Sequence, residues 1–274
     1  MATTQAEKSK IFAALHVRPG PLVIPNPWDA GSARMLAALG FEALATSSGA
    51  CAGTLGRRDG RVSRPEALAH ARTIVDATDL PVSADLENGF GHAPEDAGTT
   101  IREASMIGLV GASIEDASGD PAKPIYDLTH ATDRIAAAVS AARASSFKFM
   151  LTARAENFLR GDPDLEDTIR RLKAYEQAGA DVLFAPGLPD VEAVRRVCAS
   201  LSRPFNFMAG IKGKSFPVAE LVAAGVKRVS LATSLYRAAM AGLLNAAQEV
   251  KDHGTFAYID RSLATPELNK FMQP

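Results

Sequence analysis

The segment PVSADLENGFG, residues 81–91, places two carboxylates, Asp85 and Glu87, two positions apart at the end of an apolar run. The run predicts a buried strand. Because strand side chains alternate between two faces, both acids should point to the same side of the sheet. Two carboxylates held together out of water repel each other unless a positive charge lies near them. We therefore expect a cation at this end of the strand.

More charged side chains follow the next two predicted strands. The motif SIED ends the fourth strand with Glu115 in the inward phase, and the motif TARAEN ends the fifth strand with Arg154. A structural interpretation of each acid competes with a catalytic one. Glu115 and Arg154 would form a buried ion pair, and Asp116 would cap the following helix.

Convergence of Asp85, Glu87 and Glu115 is best explained by a hard divalent cation, which prefers oxygen ligands. Mg²⁺ often contacts only one or two carboxylates and keeps several waters, which other acids then hold. The chain has no His/Cys set at the spacing of a zinc site. We predict Mg²⁺ at this position, with Mn²⁺ as the alternative.

A regular alternation of short apolar runs and Ala/Leu-rich amphipathic stretches must position these residues. Each run is followed by a turn and a helix-like segment, which indicates parallel strands joined by helical crossovers. The predicted strands are residues 22–26, 43–48, 82–87, 112–115, 150–154, 182–185, 205–208 and 228–232.

The helices between these strands begin near residues 28, 64, 94, 130, 164, 190, 217 and 235. Ser63 and Asp133 are predicted N-caps. Glycine in a left-handed C-terminal cap is expected at the ends of four helices, before the next strand. These glycines are Gly40, Gly108, Gly179 and Gly225.

Eight strand–helix units in 274 residues fit a (β/α)8 TIM barrel of the α/β class. A doubly wound sheet is less favoured, because no G-x-G-x-x-G or P-loop motif follows the first strand. We predict one barrel domain over residues 1–274 with a helical tail from about 235. Catalytic residues of such barrels lie at the carboxyl ends of the strands, where the acids and Arg154 are expected.

Bulk composition excludes several classes of protein. The net charge of −1, with acids and bases well mixed, argues against a nucleic-acid partner. Two cysteines are too few for a disulfide framework, and the polar N-terminus is unlike a signal peptide. No apolar run approaches the roughly 20 residues of a membrane span. We expect a cytoplasmic protein without a membrane partner.

Four motifs in register resemble the isocitrate lyase / phosphoenolpyruvate mutase superfamily. They are NPWDAGSARMLAALGFEALATSSGA (residues 26–50), PVSADLENGFG, SIED and TARAEN. The likeness covers the chain to about residue 250. In the commonest form of the third motif both acids are Asp, whereas this chain has Glu87 at the second position. The resemblance implies a barrel that binds a small carboxylic acid and assembles as a homotetramer through exchanged C-terminal helices.

The resemblance also implies a role for each matching residue. Asp85 would bind Mg²⁺ most directly, with Glu87 and Glu115 completing its outer shell, and Asp59 would be a further catalytic acid. Arg154 would pair with a substrate oxygen or carboxylate and would act with Glu115 and Asp59 in catalysis. The remaining substrate-binding positions are a wall residue and three that supply backbone N–H groups and a hydroxyl to the carboxylate: Trp28, Ser48, Gly49 and Ala50.

One loop departs from the family pattern. Lyase branches carry a Lys/Arg-Cys-Gly-His signature after the fourth strand, and the mutase branch carries a lysine and an Asn-Ser pair there. In this chain the segment is SGDPAKPIYDL (residues 118–128), which has neither Cys nor His and offers only Lys123 as a counterpart. We therefore favour reactions that need no built-in carbon acid, namely decarboxylation or retro-Claisen cleavage.

The leading hypothesis is a Mg²⁺-dependent lyase or decarboxylase that cleaves a C–C bond of a small 2-oxo or 2-hydroxy acid through a pyruvate-enolate-like intermediate. P–C bond chemistry on phosphonopyruvate or phosphoenolpyruvate is the first alternative. A non-catalytic barrel that binds Mg²⁺ and a dicarboxylate is the second.

Overall fold

Eight parallel strands form the centre of the molecule in the computed structural model, which describes residues 3–272. The sheet order is β1-β10-β9-β8-β7-β4-β3-β2, and a separate antiparallel hairpin pairs β5 with β6. The ten strands are β1 Leu22–Ile24, β2 Leu44–Ala45, β3 Val82–Asp85, β4 Gly111–Glu115, β5 Ala117–Asp120, β6 Lys123–Ile125, β7 Met150–Arg154, β8 Val182–Phe184, β9 Phe205–Met208 and β10 Arg228–Ser230.

The sheet nearly closes into a barrel, because the Ala45 N–H donates to the Pro25 carbonyl at 3.0 Å across the β1–β2 gap. The predicted (β/α)8 fold is thus confirmed, and all eight predicted strands are present. Several are shorter than predicted. In particular, β3 ends at Asp85 rather than Glu87.

Helices surround the strands. The longer ones are α1 Gln5–Val17, α2 Ala30–Ala38, α4 Arg64–Asp76, α5 Pro94–Met106, α6 Leu128–Arg143, α7 Leu165–Gln177, α8 Val191–Ala199 and α10 Ser234–His253. The short ones are α3 Ser48–Thr54, α9 Val218–Ala223 and α11 Thr265–Asn269, with a 3₁₀ turn at Ala257–Arg261.

The structure confirms the helix caps predicted from the sequence, with one exception. At the start of α4 the Glu66 carboxylate accepts hydrogen bonds from the Ser63 N–H and hydroxyl at 2.9 and 2.7 Å. The predicted cap Asp133 is wrong, since it lies inside α6, whose N-cap is Asp127. The Asp127 carboxylate accepts a hydrogen bond from the His130 N–H at 2.9 Å. The four predicted C-terminal glycines all have positive φ, between 87° and 100°.

The barrel interior changes character along its axis. At the amino ends of the strands, Phe12 and Leu15 of α1 pack on buried apolar side chains that include Leu22, Met150 and Val182. This helix, which the sequence did not predict, closes the barrel floor. Higher in the barrel the inward side chains are largely polar, although a parallel barrel is usually filled by branched apolar residues. They include Ser83, Ser113, Asn206 and Ser230. Arg228 also points inward, but it begins β10 and lies level with Leu22 of the floor.

The C-terminal segment projects from the barrel. Helix α10 has no buried residue and exposes Leu243 and Leu244 at 63% and 62%. Phe256 and Ile259, beyond α10, are more than half exposed. None of the helices in residues 3–272 combines the length and apolar character that a membrane crossing requires. The assignment of one domain to residues 1–274 stays a prediction.

Candidate active site

Strands β3, β4 and β7 bring Asp85, Glu115 and Arg154 together at their carboxyl ends. In the parallel register Asp85 is opposite Ser113, and Glu115 is opposite Arg154. The Arg154 Nη1 atom lies 3.3 Å from Glu115 Oε2 and 3.7 Å from Asp85 Oδ2. The guanidinium also lies over the Phe184 ring, 5.0 Å from its centroid. Arg154 is therefore the nearest positive charge to the acids of the third strand.

Backbone hydrogen bonds fix the position of Asp85. Its own N–H donates to Thr46 Oγ1 at 3.1 Å, and its Oδ2 accepts from the Ser48 N–H at 3.2 Å. The second bond comes from the first turn of α3, where N–H groups have no partner within the helix. A carboxylate there is also favoured by the helix dipole.

Glu87 reaches the site by a route that the strand pattern did not predict. Its φ of 49° lies in the left-handed region, which is uncommon for a residue other than glycine. The left-handed turn, rather than a two-residue strand period, therefore aims its side chain. Burial first, and then the charges of Asp85 and Asp59, raise the pKa of Glu87 to about 7. Three carboxylates thus influence one another electrostatically.

Asp59 lies against the start of α3. The Ser48 side chain hydrogen-bonds to its carboxylate, and burial followed by the charge of Asp85 raises its pKa. A Cβ added at Gly49 would lie 2.8 Å from Thr233 Cγ2 and 3.3 Å from Asp59 Oδ2, so a larger residue would have to displace one of these side chains. The Ala50 N–H donates to Ser47 Oγ at 3.4 Å. The Gly49 N–H has no acceptor among the described residues and remains available to a ligand.

Two residues of the site, Glu156 and Arg160, were not predicted. Glu156 is fully buried and accepts hydrogen bonds from Arg154 Nε and, at 3.0 Å, from Arg160 Nε. Arg160 Nη2 also lies 3.2 Å from Glu115 Oε1. Burial, and next the charge of Glu156, raise the pKa of Glu115 well above its usual range. The spacing could have indicated these two ion pairs, because Glu156 is two residues after Arg154 and four before Arg160.

Asp116 is not a helix cap, so that interpretation is wrong. It is 2% exposed and accepts from the Glu156 N–H at 2.8 Å, from Tyr175 Oη at 2.6 Å and from Arg171 Nη1 at 3.1 Å. Its own N–H donates to the Arg154 carbonyl at 3.1 Å. Asp116 therefore joins the ends of β4 and β7 to α7 and holds the backbone that carries the site.

The donor set suits a hydrated divalent ion rather than one enclosed by protein. Within residues 3–272, no three His, Cys, Asp or Glu side chains converge closely enough to hold a metal by themselves. Asp85 and Glu115 do not converge directly because Arg154 lies between them. Mg²⁺ commonly takes one or two carboxylates and fills its octahedron with water. Two guanidiniums face five acids, so a further cation would be needed for all five to be ionised: Asp59, Asp85, Glu87, Glu115 and Glu156.

Other predicted elements lie around this cluster. The Trp28 ring packs edge-on against Tyr236 of α10 with 5.6 Å between centroids, and its role as a pocket wall stays a prediction. The segment after β4 is the β5–β6 hairpin rather than an irregular loop, and Asn88 Nδ2 donates to the Ala117 carbonyl at 3.1 Å to hold it. Cys51 is buried, and burial raises its pKa to about 11, so it stays a thiol.

Comparison with known proteins relates the chain to a superfamily of lyases and mutases. Residues 12–251 match the family model described as phosphoenolpyruvate phosphomutase. A 2-methylisocitrate lyase of Shewanella oneidensis is 32% identical over 85% of this chain and 82% of that protein. A crystal structure from Burkholderia cenocepacia J2315, described only as a lyase/mutase, is 49% identical with a TM-score of 0.96 over 97% of this chain and 96% of that one. Oxaloacetate acetylhydrolase in complex with oxalate is 25% identical with a TM-score of 0.88 over 98% and 94% of the two chains.

Proposed function

Because the chain belongs to the phosphoenolpyruvate phosphomutase family of the isocitrate lyase / phosphoenolpyruvate mutase superfamily, whose members are lyases and mutases, we propose that it is a Mg²⁺-dependent carbon–carbon lyase. Its substrate is a small 2-oxo or 2-hydroxy acid, and the product fragment leaves as an enolate of pyruvate or a similar acid. The observation that carries the proposal is the cluster of Asp85, Glu115 and Arg154 at the carboxyl ends of adjacent strands.

Asp85 would hold the ion directly, with Asp59, Glu87 and Glu115 holding its waters. Bound Mg²⁺ would supply positive charge to the substrate oxygens on which negative charge develops. Mn²⁺ fits the same oxygen donors.

The chain's own groups would orient the substrate and offset its charge. Arg154 offers N–H donors to a carboxylate, and Glu156 and Glu115 fix the plane of its guanidinium. The Gly49 N–H at the start of α3 would donate to the substrate carboxylate. These donors are fixed before the substrate binds, which is the arrangement that lowers a barrier electrostatically.

Two observations favour C–C over P–C cleavage. The β5–β6 hairpin lacks the mutase branch's Asn-Ser pair, and two of the compared relatives are named for acting on C–C bonds, 2-methylisocitrate lyase and oxaloacetate acetylhydrolase. The hairpin also contains no cysteine or histidine as a carbon acid. In decarboxylation, CO2 leaves and water protonates the enolate that remains. In retro-Claisen cleavage, the hydroxyl of a water adds to the carbonyl carbon, the C–C bond breaks and the leaving enolate takes a proton from water. Neither reaction needs such an acid.

The test is product release from oxaloacetate, 2-methylisocitrate, dimethylmalate and phosphonopyruvate, each with Mg²⁺ and with EDTA. Metal-dependent pyruvate from a phosphorus-free acid, or oxalate and acetate from oxaloacetate, would support the proposal. Turnover of phosphonopyruvate alone would replace it with P–C chemistry. Mg²⁺-dependent oxalate binding without turnover of any substrate would indicate a binding protein.

We further propose that the protein forms a homo-oligomer, a tetramer by analogy with the superfamily, through α10 and the segment after it. The exposed Leu243, Leu244 and Phe256 would be covered by a second copy of the chain. We propose no nucleic acid, membrane or second protein as a partner. We also propose that the enzyme is cytoplasmic.

A further inference from the structure

Arg228 is a buried cation without an acidic partner. It begins β10, is 6% exposed and points into the barrel interior. Among the described residues, no carboxylate lies within ion-pair distance of its guanidinium. Isolated buried charges cost several kcal/mol unless paired, so this arrangement needs a physical explanation.

Protein groups satisfy only part of the Arg228 guanidinium. The Nε atom donates to Asn206 Oδ1 at 2.7 Å, and Nη1 lies 3.4 Å from His16 Nε2. His16 Nδ1 lies 2.7 Å from the Phe12 carbonyl and must donate to it, and Nε2 faces the Arg228 guanidinium, which only a lone pair can accept from, so His16 is neutral. Burial, followed by the charge of Arg228, lowers its pKa to about 3. His16 therefore supplies a lone pair but no negative charge.

Arg134 shows how the same fold treats a buried arginine that needs no anion. It is 1% exposed and also lacks an acidic partner, yet it donates to the carbonyls of Asn88, His92 and Ala93. The face of Tyr126 lies 4.8 Å from its Cζ atom. Arg228 has neither a set of carbonyl acceptors nor an aromatic face.

The groups around Arg228 present hydrogen-bond donors to the lower end of a cavity whose whole volume, including the part beside Asp85 and Arg154, is about 50 Å³. Nη2 of Arg228 donates to no described residue. Ser230 Oγ accepts from Asn206 Nδ2 at 3.0 Å, which leaves the hydroxyl proton free to donate. Ser83 and Ser113 line the same cavity, which continues upward to Asp85 and Arg154. The whole cavity has room for roughly four water molecules, so a single monatomic anion fits at its Arg228 end.

We propose that the barrel interior beneath the active site is a binding site for a halide-sized monovalent anion, chloride in solution, held by Arg228 and Ser230. The anion offsets the buried guanidinium and contributes to stability. It is separate from the carboxylate position at the start of α3. Water alone would solvate the same donors without neutralising the charge. If water occupies the site, Tm should not depend on which anion is in solution, whereas a bound halide makes Tm depend on it.

The test measures thermal unfolding of the full-length protein in sodium chloride and in sodium methanesulfonate at equal ionic strength. Methanesulfonate is larger than a halide and is not a 2-oxo or 2-hydroxy acid, so it resembles neither the proposed anion nor the proposed substrate. We expect Tm to rise with chloride concentration and not with methanesulfonate, since a ligand of the native state stabilises it by mass action. In Arg228→Met the chloride dependence should disappear. In Arg72→Met, which removes an exposed arginine paired with Asp76, it should persist.

Two further measurements keep the test decisive if Arg228→Met does not fold. Ser230→Ala should weaken the chloride dependence while retaining the cation. A bromide-soaked crystal of the wild type should show an anomalous peak within hydrogen-bond distance of Arg228. Equal Tm values in chloride and methanesulfonate, or the absence of bromide at Arg228, would overturn the proposal and leave water as the occupant.

Discussion

At the scale of single residues, Glu156 determines how Arg154 is presented to a substrate. It is fully buried, and its two oxygens bind Arg154 Nε and Arg160 Nε. In Glu156→Gln the acceptor to Arg154 is retained, but the charge that strengthens and orients that bond is lost. We expect kcat/KM to fall roughly 10- to 100-fold with the fold intact by circular dichroism.

The matched control for this variant is Glu166→Gln. Glu166 pairs with Arg196 on the surface, where its side chain is 70% exposed. An exposed ion pair is worth little, so steady-state kinetics should not change. Equal effects of the two substitutions on kcat/KM would show that Glu156 has no positioning role.

Glu87 gives the metal-free protein a defined pH dependence. Its carboxyl has a pKa of about 7 in the folded state, raised above the ordinary 4.5 by burial and then by Asp85 and Asp59. The folded state therefore binds more protons between these values, and the free energy of unfolding contributed by Glu87 falls as pH rises through this window. Below about pH 4.5 Glu87 is neutral in both the folded and the unfolded state, so its contribution to the free energy of unfolding no longer changes with pH.

Glu87→Gln should remove this contribution. The Tm of the variant minus that of the wild type, measured in EDTA, should increase from pH 4.5 to pH 7 and level off above it. Taking the difference cancels the opposite effect of His16, whose lowered pKa costs stability in acid. A difference that is flat with pH would mean that Glu87 is not held near the other acids.

The site residues differ in how far the sequence could predict them. Asp85, Glu115 and Arg154 follow apolar strands, so strand position alone indicated their common edge. Glu156 and Arg160 lie beyond the strand, where burial decides their partners and a pattern of residue types does not. Glu87 was assigned to the site for the wrong geometric reason, since a left-handed backbone rather than a strand carries it there.

At the scale of elements, the start of α3 is defined by close packing at Gly49. A Cβ there would contact Thr233 Cγ2 at 2.8 Å and Asp59 Oδ2 at 3.3 Å. Gly49→Ala should displace the helix start, move Asp59 and the Gly49 N–H, and lower kcat/KM by roughly 100-fold, since small misplacements cost about that much.

Gly242→Ala is the control, because a Cβ at Gly242 meets nothing within 4 Å. It lies in α10, where alanine is the better helix former, so Tm should stay equal or rise slightly. If Gly49→Ala retained wild-type kinetics, the start of α3 would not belong to the substrate site.

Helices and strands with regularly spaced apolar residues, or with a glycine at the C-terminal cap, could be predicted from the sequence. Those whose positions depend on tertiary contacts could not. The eight strands and most crossover helices fall where the pattern placed them. Helix α1 was missed because its polar sequence hides the few side chains, such as Phe12, that close the barrel floor. The β5–β6 hairpin was missed because polar side chains rather than an apolar pattern stabilise it. Ser118 Oγ accepts from the Asp120 N–H at 2.9 Å, Asp120 Oδ1 accepts from the Ala122 N–H at 2.8 Å, and Asn88 Nδ2 donates to the Ala117 carbonyl.

At the scale of the whole molecule, the projecting tail is expected to join copies of the chain. Replacing Leu243 and Leu244 by Asp should reduce the oligomer to smaller species, because two charges would then have to be buried in the interface. Sedimentation velocity measures the change, and Asn245→Asp on the same helix is the control. An unchanged sedimentation coefficient in the double variant would place the interface elsewhere.

The central claim is that the acids at the carboxyl ends of the strands bind a divalent cation through Asp85. Electron paramagnetic resonance of free Mn²⁺ measures this without knowledge of the substrate. The account predicts one Mn²⁺ per chain, displaced by Mg²⁺, with affinity at least about 100-fold weaker in Asp85→Asn. It also predicts unchanged affinity in Asp76→Asn, a surface control. Absence of Mn²⁺ binding, or equal binding by Asp85→Asn and the wild type, would contradict it.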